Sequence, residues 1–433
     1  MKLSLGILHI KKTFEQIWND FQHDSLFQNS IYIFASTGVI SFLGFLFWFF
    51  AAHHYSSYDV GLAGTIISAC SLIVSLSSLG IANAFIRFIP TSENKQEIIN
   101  SGVILVFGST ILFTLGYLFL LPFFSPKLSV ITHYPLLTLL FVFLTVFASL
   151  ANLIDSIFIS LRTAHFNLAT YSVFGIIKLG AVLLLSIFGT AGLVLSHTFG
   201  LFCSVFLGYY LIQQKLHLSF RIQFNKKTVH KMLAFSLITY LTTFAAGMPS
   251  FLLPLIILHA LGASSVAYFY MAMMIATLIF AVPNSVASSL FAEGSHNTDT
   301  VDAHFKRSIL AIFSSLIGIN TVIVLFGHQI LAIFGKEYSI QGYWPLVLLC
   351  FSSFFLAINS LFSTILKIRQ QLMSYLIINI IGAVCIVLGS FFTVTYGLMY
   401  VSLSWLVGQI LMSICFFIDY KIGVPSKLFS SRA

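Results

Sequence analysis

The sequence predicts an all-α fold, a polytopic membrane protein of about twelve transmembrane helices in two six-helix lobes. Hydrophobic residues make up 58% of the 433 and charged residues only 8%, where soluble domains carry about 25% charge. Twelve apolar runs each reach the roughly 20 residues needed to cross a hydrocarbon core about 30 Å thick. With the N-terminus placed in the cytoplasm, 18 of the 21 Lys and Arg fall in inner segments; Lys127 and Lys336 fall in outer loops and Lys178 lies within a span. That bias puts both termini inside. The net charge of +9 is spread over short loops instead of one patch, so it reflects topology and does not point to nucleic acid.

Residues 1–26 carry Leu3, Ile7, Ile10, Phe14, Ile17 and Phe21 at alternating spacings of four and three, with Trp18 beside the stripe. This is an amphipathic cytoplasmic helix, suited either to the inner leaflet or to the protein's own cytoplasmic face. It has no continuous apolar core and no small-residue cleavage site, so the first true span is the membrane-targeting signal. Spans are expected at about 29–51, 60–86, 98–124, 134–159, 168–188, 191–213, 232–258, 266–290, 308–334, 343–366, 372–392 and 397–418. The second is the best marked. It follows the uncharged-to-acidic turn HHYSSYDV, carries Gly61, Gly64, Ser68, Ser71 and Ser75 at spacings of three and four, and ends near Arg87 and Pro90. A face of small residues lets a helix pack closely on another helix.

Residues 214–231 form the longest and most basic inner connection, a cytoplasmic linker between a lobe at 27–213 and an equally long lobe at 232–418, with a cytoplasmic tail at 419–433. At an offset of 206 residues the span ends coincide, and His53, Val60 and Leu72-Ile73 fall on His259, Val266 and Leu278-Ile279. Two related lobes in parallel topology are the expectation.

Ionisable groups inside a bilayer are costly and therefore candidates for function. Asp155 lies about a turn above the inner end of the fourth span and Lys178 near the middle of the fifth. Their side chains lean toward each other in depth, so an Asp155–Lys178 ion pair is feasible, either as a static tie or as a coupling element. Arg87 and Arg162 sit at the inner mouths of the second and fourth spans. Such arginines snorkel to lipid phosphates or form a cationic vestibule for an anionic substrate. In the second lobe Glu293 falls where Arg87 stands in the first. Pro249, Pro254 and Pro283 are expected to break or kink the seventh and eighth spans, as gates or as packing bends. His197 and His328, near outer ends, are proton carriers or packing residues.

The chain has no HExxH, GxSxG, phosphate-binding loop or paired carboxylates, and its outer loops are short, so it is not expected to be an enzyme. The five cysteines all lie in apolar runs with no CxxC, as small buried hydrophobes, and neither metal nor cofactor is expected.

YSSYDVGLAGTI followed by SSLGIANAFIRFIP resembles the signature at the start of the polysaccharide flippases, lipid-linked oligosaccharide exporters of the multidrug/oligosaccharidyl-lipid/polysaccharide superfamily. LGASSVAYFYMAMMIATLIFAVPNSVASSLFAEGS looks like the matching turn and eighth span of the second lobe. The resemblance implies a V-shaped, two-lobe transporter of the cytoplasmic membrane, working by alternating access. Its substrate would be a polyprenyl-pyrophosphate-linked oligosaccharide for a surface polysaccharide of the O-antigen or lipopolysaccharide kind. Partners would be membrane lipids, a coupling proton or sodium ion and glycan-assembly proteins, and Arg87 is the residue carried over from the motif. Two other readings compete: a cation-coupled multidrug or metabolite exporter of the same fold, and a membrane glycan polymerase or transferase.

Overall fold

The structure is a computed structural model that describes residues 25–422 apart from 220, 222 and 297–300; the side chains of 25–27, 124, 289–311 and 422 are likewise outside the description. The amphipathic stretch at 1–26, all but its last two residues, and the side chain of Glu293 therefore lie outside the described residues. Thirteen long or functionally placed helices are α1 Ser25–His54, α2 Ser57–Ser77, α3 Ile81–Phe88, α4 Lys95–Phe124, α5 Pro135–Ser160, α6 Ala164–Leu184, α7 Gly189–Lys215, α8 Lys226–Leu261, α9 Ala263–His296, α10 Val301–Ala332, α11 Lys336–Ile368, α12 Leu372–Thr393 and α13 Leu398–Ile422. No strand occurs among the described residues. Twelve of the segments are long and apolar enough to cross a membrane, as the hydropathy predicts.

The second span differs from its expectation. It is not one helix to residue 86: α2 stops after Ser77, Leu79 and Gly80 take left-handed φ values of 48° and 76°, and α3 resumes at Ile81. Glycine suits that position because it lacks the Cβ that penalises positive φ. It also suits the packing, since a Cβ on Gly80 would lie 2.7 Å from the Ser236 hydroxyl of α8. The polar turn ahead of α2 has a structural job. Ser56 Oγ accepts the Asp59 N–H at 3.1 Å as N-cap. Asp59 Oδ1 in turn accepts the N–H of Thr190 at 2.8 Å and its hydroxyl at 2.7 Å, binding the start of α2 to the start of α7.

Helix partners repeat along the chain. Up to residue 215, α1 packs on α6, α6 on α7, α7 on α5 and α5 on α4; after residue 226, α8 packs on α12, α12 on α13, α13 on α11 and α11 on α10. The turns repeat too. Arg162 and Gln370 end corresponding helices at φ 57° and 58°, and Gly189 and Gly397 each follow a 3-10 turn at positive φ. Contacts between the two groups run mainly through α2, α3 and α4 on one side and α8 and α9 on the other. The basic connection is strapped to α4: Glu97 Oε1 accepts from Asn225 Nδ2 at 2.8 Å and from the Thr228 hydroxyl at 2.7 Å, and Gln96 Nε2 donates to the Ser219 carbonyl at 2.7 Å.

Candidate substrate cavity

At the end of the bundle where α1 gives way to α2, here the Tyr55 end, the two groups close on each other. The Ser57 hydroxyl donates to the Ser264 hydroxyl at 3.3 Å, Phe45 and Phe49 meet Phe334, and the Trp48 and Tyr270 rings lie 4.7 Å apart. From that closure toward the opposite end, the Arg87 end, three adjoining chambers lie between the helices. One of about 660 Å³ is walled by α2, α3, α5, α6, α7 and α8, with Ile40 and Trp48 of α1 and Tyr270 of α9; a middle one of about 370 Å³ by α1, α2, α8 and α9; and one of about 710 Å³ by α1, α8, α9, α11, α12 and α13. Ser71, Phe251 and Tyr270 belong to the first and the middle, and Ser250, Met273 and Thr277 to the middle and the third, so the three form one passage. Each falls in or near the range of about 300–1,000 Å³ typical of small-molecule sites.

Lys178 of α6 lines the first chamber and is the one Lys or Arg among its described lining residues. Its ammonium lies 4.3 Å from the centroid of the Phe174 ring and 5.0 Å from that of Phe47, a cation-π cradle, and no carboxylate pairs with it among the described residues. His197 of α7 stands in the same chamber against the same two rings, with Nδ1 buried and unpartnered. His328, by contrast, is a packing residue, stacked on Tyr343 at 3.8 Å and bonded to Ser339.

The Asp155–Lys178 ion pair that the sequence makes feasible is not formed. The Asp155 carboxylate accepts a hydrogen bond from the hydroxyl of Tyr171, its neighbour across the α5–α6 hairpin, while Lys178 sits two turns further along α6 among aromatic rings. Matching depth brings α5 and α6 side by side, but Tyr171 lies nearer the carboxylate than Lys178 does and takes it. Arg87 is exposed in the last turn of α3, one turn beyond Asn83, which lines the first chamber. Arg162 is exposed in the α5–α6 turn. Neither arginine is among the described lining residues of the three chambers.

The prolines do not interrupt their helices: α8 runs through Pro249 and Pro254, and α9 through Pro283. A proline ring fixes φ at a helical value and removes one donor, so the helix continues with the carbonyl four residues back released. For Pro249 and Pro254 those carbonyls belong to Ala245 and Ser250, both on chamber walls, whereas Pro283 is buried beside Asn284. Sequence reasoning missed the third chamber, where Asn284, Asn359, Asn379 and Gln409 gather. Side-chain amides inside apolar spans are the sequence signal for it, a weaker one than an ionisable group because an amide carries no charge.

The sequence model of the family described as polysaccharide biosynthesis protein matches residues 26–291. This chain belongs to that family. A search of curated proteins finds no match. Among solved structures, the chain is similar to an inward closed conformation of the lipid II flippase MurJ, with TM-score 0.74 and 16% identity over 91% of this chain and 87% of that one. It is also similar to a multidrug resistance MATE family transporter of the MOP superfamily. The inward-facing form gives TM-score 0.70 at 15% identity over 91% of this chain and 96% of that one. The outward-facing form gives 0.65 at 14% over 92% and 95%. At these identities the likeness is one of fold, and it gives this polysaccharide biosynthesis family member the MATE and MurJ architecture.

Proposed function

We propose that this chain flips a polyprenyl-pyrophosphate-linked oligosaccharide across the cytoplasmic membrane by alternating access, without catalysing a covalent reaction, in the assembly of a surface polysaccharide such as O-antigen lipopolysaccharide. Lys178 is the observation that carries the reading. A buried ammonium without a carboxylate, on the wall of a chamber whose other described lining residues include no Lys, Arg, Asp or Glu, is costly unless an anion completes it, and a pyrophosphate head does so. Arg87 and Arg162, at the Arg87 end, gather the head group before it reaches Lys178. The repeated helix partners support two lobes, 27–213 and 232–418, joined by the linker 214–231. The sided Lys and Arg distribution supports cytoplasmic termini, which makes the Tyr55 end the outer face and the present arrangement closed outward. Pro249, Pro254 and Pro283 are the bending points of the lobes as they rock, and proton or sodium uptake couples the cycle. An exporter of cationic drugs needs a carboxylate facing its cavity to pair with the drug. The described lining residues of the three chambers include none, and Asp155 is engaged by Tyr171.

Transport is tested by depleting the chain and complementing it with Lys178→Ala or Lys178→Arg at matched membrane abundance, while following lipid-linked oligosaccharide on the inner leaflet. Losing a charge-assisted contact of about 1.5–3 kcal/mol slows transport about tenfold or more in Lys178→Ala, with partial recovery in Lys178→Arg. Normal transport in both variants would overturn the reading.

A further inference from the structure

We propose that the chamber between α9, α11, α12 and α13 is a glycan subsite, which takes the neutral sugar residues of the substrate while the pyrophosphate stays with Lys178 on the other side of the passage. This rests on the flippase reading and adds to it where, and by what chemistry, the sugars are held.

The chamber measures about 710 Å³ and none of its described lining residues is charged. It therefore compensates neither a phosphate nor a cationic drug. Yet it is not the greasy wall that a lipid tail would choose, because four side-chain amides project into the spans there. They are held in place by neighbouring hydroxyls, a backbone carbonyl and, for Asn359 and Gln409, by each other. The Ser360 hydroxyl donates to Asn284 Oδ1 at 2.8 Å, Asn359 Nδ2 donates to Gln409 Oε1 at 2.8 Å, and the Ser413 hydroxyl donates to Asn359 Oδ1 at 2.8 Å. Those bonds use acceptors on Asn284 and Gln409 and leave their NH₂ donors, while Asn379, whose Nδ2 donates to the Tyr375 carbonyl at 2.7 Å, keeps its Oδ1 as an acceptor. Oriented neutral donors beside neutral acceptors are what sugar hydroxyls match, since each hydroxyl both donates and accepts. An apolar occupant would leave the amides unpaired, which is how a hydrogen-bonding site rejects a ligand lacking hydroxyls.

Trp405 adds an independent observation. It lines the chamber, is 6% exposed, and lies parallel to Phe280 with an interplanar angle of 1°. Its indole N–H is buried and has no partner among the described residues. A buried, unpaired donor costs about 1–3 kcal/mol, and a sugar hydroxyl or ring oxygen would accept from it. The C–H face of a pyranose also fits against the negative face of an aromatic ring.

The test is equilibrium binding to the full-length protein in lipid nanodiscs, using two probes: polyprenyl pyrophosphate without sugar, and the polyprenyl-pyrophosphate-linked oligosaccharide extracted from cells depleted of this chain. Wild type is expected to bind the glycosylated probe about tenfold more tightly than the bare one. Trp405→Phe, which keeps an aromatic ring but loses the indole N–H, and Asn284→Ala, at an exposed wall position, each remove most of that advantage and leave bare-probe affinity within about twofold. Lys178→Ala weakens both probes. If both variants are stable by thermal unfolding and keep the full advantage, or weaken both probes equally, the glycan subsite is overturned while the flippase reading stands. If wild type binds neither probe, the flippase reading falls and the subsite with it.

Discussion

Gly61 of α2 and Ala263 of α9 are in backbone contact: a Cβ on Gly61 would lie 1.7 Å from the Ala263 carbonyl oxygen and 3.0 Å from the Ala267 nitrogen. The neighbour is main chain, so no rotamer change can make room. Gly61→Val should therefore prise the Tyr55 end apart, at an overpacking cost of about 1–3 kcal/mol. With the native cysteines replaced, a cysteine introduced at Ser57 should react several times faster with a membrane-impermeant maleimide when Gly61→Val is present, and the thermal midpoint should fall. Unchanged labelling and midpoint would show that the closure does not depend on this contact.

Asp155 and Tyr171 supply a second expectation. A hydrogen bond to a charged group contributes about 1.5–3 kcal/mol, so Asp155→Asn and Tyr171→Phe should each destabilise, and the double variant should lose little beyond either one. The same cycle run between Asp155 and Lys178 should give a coupling below about 0.5 kcal/mol, since the two side chains have separate partners. Coupling to Lys178 as large as that to Tyr171 would restore the ion pair that depth alone suggests.

What the sequence made legible follows from which forces act along one helix and which act between helices. Span number depends on hydrophobic length, and all twelve were readable. The small-residue face of α2 was readable because it is periodic, and α2 indeed has the largest share of buried residues among the twelve spans. Lys178 was readable because charge in an apolar run is conspicuous. The break at Leu79–Gly80 was not, since a single Ser-Leu-Gly is an ordinary sequence in a membrane helix and its left-handed turn is selected by the approach of Ser236 from 156 residues away. The amide chamber was hidden for a related reason: Asn284, Asn359, Asn379 and Gln409 are on four different helices, and only packing brings them to one wall.

Glu97 should matter more than an inner-loop glutamate normally does. Its Oε1 accepts from both Asn225 and Thr228, and Asn225 is also the N-cap of α8, accepting from the N–H of Lys227 at 2.9 Å. Glu97→Ala removes the shared acceptor and leaves the strap without its main anchor. A loss of about 1–3 kcal/mol is expected, together with faster protease cleavage between residues 216 and 225. Glu97→Gln keeps one carbonyl acceptor and should lie between Ala and wild type in both measurements. Cleavage rates that do not differ among the three would mean that the strap is held by Gln96 and Ser219 instead.

Gly80 joins the shape of the second span to the position of the candidate site. Gly80→Ala meets two costs together, a positive φ that is worth about 1–2 kcal/mol for a residue with a Cβ and a clash with Ser236 and Tyr240 of α8. Tyr240 also donates to the Leu76 carbonyl at 3.0 Å, at the last turn of α2, and Tyr240 and Asn83 both line the Lys178 chamber. Relief of the clash has to move α3 or α8, and either movement displaces the chamber wall. Gly80→Ala should accordingly lower the thermal midpoint and reduce transport more than an alanine at exposed Arg87 does. Tyr240→Phe, which removes only the bond to Leu76, should cost about 0.5–1.5 kcal/mol and leave the wall in place. If Gly80→Ala transports as well as Tyr240→Phe, the break between α2 and α3 is a packing detail without bearing on the chamber.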